Sequence, residues 1–197
     1  MFSYLVARDW GFAPNPFHGY CTLACCKPTI RRVAEIGDIV IGTGTRTSGL
    51  EGQLIFAMRI TEKTDFASYW RDPRFRRKRP QTGKSQIAFY GDNIYRPTAD
   101  GFEQQDSHHS LVGGKLNLHN LKKDTGSDHV LISDQFVYFG ANAIKLPNHL
   151  RNFEGVDLCA PTQGHISRKI FPEMTLEVEK FFNSLLGLKI RGMPANW

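Results

Sequence analysis

Residues 11–45 constrain this chain more than any other stretch. Gly11, Phe12, Pro14, Pro16, Phe17, Gly19 and Tyr20 fall within ten residues. A segment so dense in proline, glycine and aromatic side chains is held to one shape. Fixed aromatic loops form either a corner of the core or the wall of a binding site, and little in this one reads as core filler. Cys26-Lys27-Pro28 then opens a short helix through about Ala34. Pro28 stands near its first position, where a missing N–H costs nothing. Gly37-Asp38 turns the chain into a strand, Ile39 to Thr43.

The rest of the chain supplies strands and one late helix. Phe2 to Arg8 reads as a first strand, and Gln53 to Glu62 (QLIFAMRITE) as the most regular one. Asp65 to Trp70 is expected to be a short helix capped by Thr64 or Asp65. Residues 76–128 are polar. Strands are expected at His129 to Ser133 and Gln135 to Phe139, with a third over 142–146. Met174, Val178, Phe181, Phe182 and Leu185 recur at helical spacing and predict an amphipathic helix from about Pro172 to Leu186, stopped by Gly187. This pattern predicts an α+β fold: a small curled, largely antiparallel sheet or barrel with short inserted helices and a C-terminal amphipathic helix. The 197 residues are expected to form a single domain with a polar insertion around 76–128. There is no βαβ alternation with a glycine fingerprint, and Gly42-Thr43-Gly44-Thr45 lacks the P-loop form.

No apolar run is long enough to span a bilayer, and the N-terminus lacks a basic lead and an apolar stretch, so no membrane partner and a cytoplasmic location are expected. Cys21, Cys25, Cys26 and Cys159 are expected to be free thiols. His18, Cys21 and Cys25 give H-x2-C-x3-C, which matches no standard zinc ribbon or finger, so no metal or other cofactor is expected and the thiols read as buried structural groups. Net charge is +6. Residues 71–80 (RDPRFRRKRP) concentrate five Arg and one Lys against one Asp. Such a run suits a polyanion; Tyr69, Trp70 and Phe75 interleave with it and can stack. The alternative is a solvated charged loop.

The order strand, short helix, Gly-Asp turn, hairpin and aromatic segment with Asp72-Pro73 resembles the PUA-like domains, especially their EVE and YTH branches. A resemblance over nearly the whole chain, carried by GFAPNPFHGYCTLACCKPTIRR, YGDNIY, DSHHS, HVLISDQFVYFG and the C-terminal GMP, is to the bacterial and phage family of nucleotide-modification-associated domains of the second type. That resemblance implies a setting of modified bases in DNA or defence, and nucleic acid or a nucleotide as partner. PUA-like relatives hold a modified base in a pocket beside the sheet.

A base pocket needs flat surfaces and directed donors. Phe17, Tyr20, Tyr69 and Trp70 offer planes, Asn15 matches a base edge, Thr43 and Thr45 suit the rim, and Arg31, Arg32 and Arg74 suit phosphates. Each has a plainer reading as core, turn or surface charge. The polar middle offers an enzyme instead: Asp92, His108 and His109, with Asn93, Asp106 and Asp128 nearby, suit acid–base work. Cys21 or Cys25 suits a nucleophile if a histidine comes close in space. Two functions follow: a module binding a modified nucleobase or nucleotide in an aromatic pocket, or an enzyme acting on one as a hydrolase, transferase or glycosylase. Oligomeric state is left open.

Overall fold

A computed structural model describes residues 1–159, 165–167 (backbone only) and 172–197. The strands are β1 (Phe2–Leu5), β2 (Cys21–Leu23), β3 (Ile39–Thr43), β4 (Gln53–Arg59), β5 (Glu62–Asp65), β6 (Tyr95–Thr98), β7 (Gly101–Gln104), β8 (His129–Ser133), β9 (Gln135–Tyr138), β10 (Ile144–Lys145), β11 (His165–Ser167) and β12 (Lys189–Ile190). The helices are α1 (Pro28–Val33), α2 (Phe66–Arg71), α3 (Gln86–Phe89), α4 (Leu118–Thr125), α5 (Asn148–Arg151) and α6 (Pro172–Leu185), with 3-10 turns at Pro73–Lys78 and Gly140–Asn142. The fold is α+β. Among the described residues no helix is long and apolar enough to cross a membrane.

The chain divides into two compact units: 1–9, 34–60 and 135–197, and 10–33 with 61–134. The first unit carries an open sheet in the order β11-β1-β3-β4-β9-β12, with β10 against β4. β1 runs parallel to β3, and β12 parallel to β9; the other pairs are antiparallel. The expected barrel is not closed among the described strands. The helical stripe lands as its spacing predicts. Met174, Val178 and Phe182 are buried with Ile39, Ile41, Leu54 and Val137, and Phe181 and Leu185 pack at the edge of that cluster. Each fully buried apolar side chain is worth roughly 1.5–3 kcal/mol. Gly187 ends α6 at φ +92°, the left-handed region that favours glycine. Asp38, in the Gly-Asp turn, takes the Met1 ammonium at 3.0 Å and the Glu35 N–H at 3.0 Å.

The second unit holds a three-stranded sheet, β2-β8-β5, and the hairpin β6-β7. Its core gathers Phe12, Ala24, Cys25, Phe66, Tyr69, Phe75, Ile94, Tyr95, Val130 and Ile132. The aromatic loop is therefore largely core: Phe12, Asn15, Phe17, Cys21 and Cys25 are all buried. Asp65 caps α2, accepting from the Ser68 N–H at 2.7 Å. The expected strand over 53–62 breaks in two. Ile60 N–H still donates to Asp38 O in the first unit, whereas Thr61 N–H donates to Ile132 O in the second. β8 and β9, separated by Asp134 alone, likewise belong to different sheets.

Candidate functional site

The second unit is organised on buried polar groups. Lys78 is fully buried and points its ammonium at Asn15 O (2.9 Å), Asn15 Oδ1 (2.6 Å) and Tyr20 O (2.9 Å). Asn15 also donates from Nδ2 to Tyr90 O at 3.0 Å and pairs its backbone with Thr22. The Asp92 carboxylate, also fully buried, accepts from Thr22 Oγ1 at 2.6 Å and Tyr69 Oη at 2.8 Å. Burial lowers Lys78 to about 8, against the attraction of Asp92; burial raises Asp92, against the attraction of Lys78. These bonds hold the 11–20 loop on the sheet.

The other residues singled out from sequence have these places. Arg31 is buried and donates to four carbonyls: Cys26 O, Ser127 O, His129 O and Asp124 O. Arg32 is exposed on α1. Arg74 grips Glu62 at 2.9 and 3.0 Å and Asp72 at 2.6 and 2.9 Å, over the rings of Phe75 and Tyr20. Trp70 lies under the Arg79 guanidinium at 3.9 Å. Thr43 and Thr45 belong to the first unit, Thr43 buried and Thr45 in a turn closed by Ser48. His108 sits among Trp10, Phe12 and Tyr90, with ring centroids 5.2–5.9 Å away. The basic run is thus partly spent internally: Lys78, Arg74 and Arg79 are engaged as described, and Arg71, Arg76 and Arg77 are exposed.

A cleft of about 380 Å³ opens beside the loop, lined by Phe17, His18, Arg77, Gln81, Ser85 and Ile87, with Ala88. His18 stands at φ +63°. Burial, reinforced by the charges of Arg77 and Lys78, lowers its pKa to about 4, so the ring is neutral near pH 7.

A second cluster lies around His109. The turn at Asp106–Ser110 is closed by the Ser107 and Ser110 hydroxyls, and Asn120 Nδ2 holds His109 O at 3.0 Å. His109 Nδ1 meets Asp124 Oδ2 at 2.7 Å, and its Nε2 lies 3.7 Å from Cys26 Sγ. Asp124, buried on α4, also accepts from Tyr95 Oη at 2.7 Å and from the Cys26 N–H at 2.8 Å. Burial works against the charged ring of His109, but the bonds to Asp124 and Cys26 prevail and raise its pKa to about 9. Burial also opposes the Asp124 carboxylate, and His109 and Tyr95 hold it below the ordinary value. Cys26 and Lys27 adopt φ of +59° and +40°. Cys26 is partly exposed, whereas Cys25 is buried. The nucleophile candidates considered from sequence, Cys21 and Cys25, are fully buried, and burial pushes Cys21 up to about 12 and Cys25 well above its ordinary value. Sequence reasoning passed over Cys26 and Asp124; the signal available was the third cysteine of the cluster and an Asp fifteen residues beyond His109.

No curated protein and no solved structure matches this chain. The sequence profile described as nucleotide modification associated domain 2 matches residues 1–197, and the chain belongs to that family.

Proposed function

We propose that the protein binds a nucleotide, or a modified base within DNA, in the cleft beside the 11–20 loop. The observation that carries this reading is the lining of that cleft. Phe17, buried, gives the cleft an apolar wall, Gln81 an amide that donates and accepts along a base edge, and Arg77 a planar cation suited to phosphate. The neutral His18 ring adds one donor and one acceptor. A volume of about 380 Å³ is in the range of small-molecule sites. Asn15 and Lys78 fix the loop's shape through their hydrogen bonds, and exposed Arg76 adds positive charge on the same 3-10 turn as Arg77. Membership of a nucleotide-modification family supports a nucleotide ligand in a DNA-modification or defence setting. The resemblance of the first 75 residues to PUA-like domains, which hold a base beside a sheet, is in keeping with this reading.

The test is calorimetric titration of modified and unmodified nucleotides, and of short DNAs carrying modified bases. One class is expected to bind, with affinity falling about tenfold in Arg77→Ala, the loss of one charged hydrogen-bonding partner. Absence of binding to every nucleotide and DNA tested, or wild-type affinity in both Arg77→Ala and Gln81→Ala, would sink the reading.

A further inference from the structure

Cys26, His109 and Asp124 have the connectivity of a nucleophile, a base and an orienting carboxylate. One ring nitrogen of His109 is fixed on Asp124 at 2.7 Å, and the other faces the thiol at 3.7 Å. Tyr95 Oη and the Cys26 N–H complete the carboxylate's bonds. The backbone of Cys26 is pinned on both sides, its N–H by Asp124 and its C=O by Arg31 Nε at 2.8 Å. That pinning holds a non-glycine residue at φ +59°, and strained backbone of this kind concentrates at functional sites. Cys26 is partly exposed and His109 keeps 13% of its side chain exposed, whereas Cys21 and Cys25 are fully buried.

We propose that Cys26 is a catalytic nucleophile for acyl groups, with His109 as its acid–base partner and Asp124 as the positioning residue. The substrate class is an amide or ester. In the reacting pair the Cys26 proton already rests on His109, whose ring is an imidazolium near neutral pH, and the thiolate attacks the carbonyl carbon, forming the S–C bond of a thioester. The C–N or C–O bond breaks, and the leaving amine or alcohol receives the proton from His109 Nε2. Water, deprotonated by His109, then cleaves the thioester; the carboxylic acid departs and the thiol is restored. Lys27, the next residue, adds positive charge beside the thiol.

A metal site is the competing arrangement, because Cys25 Sγ, His109 and Asp124 lie within 4.8 Å of one another. Their contacts favour the catalytic one: Cys25 Sγ donates to Asp92 O at 3.4 Å, and His109 is already bonded to Asp124.

The test uses the full chain with iodoacetamide and with p-nitrophenyl acetate. Alkylation at pH 6.5, read by peptide mass spectrometry, is expected at Cys26 about tenfold faster than for glutathione, as for a thiol activated by an imidazolium. Cys21 and Cys25 are expected to stay unmodified. p-Nitrophenyl acetate is expected to leave an acetyl group on Cys26, and neither label to form in Cys26→Ala. His109→Gln is expected to slow both, and Asp124→Asn to shift the pH profile of alkylation. Alkylation of wild-type Cys26 no faster than glutathione overturns the proposal whether or not the variants fold. So does a tightly held metal ion whose removal alone makes Cys26 reactive. Nucleotide binding measured in Cys26→Ala reports on the cleft separately, and either result there leaves the labelling outcome standing by itself.

Discussion

Lys78 Nζ lies 2.6 Å from Asn15 Oδ1, with both side chains buried. A lysine in the middle of an arginine-rich run thereby acts as a clamp on the aromatic loop rather than as part of a charged surface. Its three donors meet three acceptors, which is what a buried ammonium requires. Asn15→Ala removes one of those acceptors and also the donor to Tyr90 O. The expected cost is about 1–3 kcal/mol, measured as a lower midpoint in urea unfolding with an unchanged slope. Unaltered stability would mean that water replaces the amide.

Stability should fall as pH rises from 6.5. His109 has a pKa of about 9 in the folded protein, against 6.5 for an ordinary imidazole. The folded state keeps a proton that the unfolded chain has lost, so the contribution is full below pH 6.5, declines upward and is gone above about 9. The slope approaches about 1.4 kcal/mol per pH unit. Burial acts oppositely at Lys78, whose folded value is about 8: its unfavourable contribution, complete below pH 8, is relieved as pH rises from 8 toward 10.5. The window 6.5–8 therefore isolates His109. Urea midpoints across that window should decline in the wild type and flatten in His109→Gln. Parallel profiles would exclude the His109–Asp124 pair as the cause.

Much of the fold was legible because it rests on periodicity or on a local bond. The α6 stripe and the Asp65 cap are of this kind. What periodicity cannot show is which sheet a strand joins, so the changes of sheet at Ile60–Thr61 and at Asp134 were hidden. The polar reading of 76–128 also missed that Lys78, Asp92, Ile94, Tyr95 and Asp124 are buried. For the site, His109 was legible as a residue type in a cluster. Cys26 was not, because its partner His109 lies 83 residues along the chain and the two meet only in the fold. Asp124 follows Lys122 and Lys123 on a short helix and reads as a solvated charge. Arg31 reads as a surface cation on α1, yet three of its four carbonyl partners come from residues 93 to 98 positions away.

Arg74 and Arg77 should behave differently toward DNA. Arg74 is already paired with Glu62 and Asp72, whereas Arg77 is exposed at the cleft. Where DNA binds, Arg77→Ala should reduce the slope of log affinity against log salt by about one, the signature of one lost phosphate contact. Arg74→Ala should leave that slope in place and cost at most about 1 kcal/mol of stability, as exposed ion pairs do. Equal salt slopes in the two variants would show that the run acts as one undivided patch.

The C-terminal Gly-Met-Pro carries a steric requirement in the first unit. A Cβ on Gly192 would lie 2.0 Å from Phe139 O and 3.1 Å from the carbonyl carbon of that residue. Backbone cannot retreat as a flexible side-chain end can. The neighbouring segment is stitched by Ala141 N–H to Met193 O at 2.8 Å and by Ala195 N–H to Asp9 Oδ2 at 3.1 Å. Asp9 is held in turn by Tyr138 Oη at 2.7 Å. Gly192→Ala must therefore push the strand end off Phe139 and loosen those bonds, at a cost of about 1–3 kcal/mol. Met193, half exposed beside it, should tolerate alanine within about 0.5 kcal/mol. Thermal unfolding of the two variants side by side separates a packing constraint on the glycine from a general sensitivity of the segment: equal losses would refute the steric account.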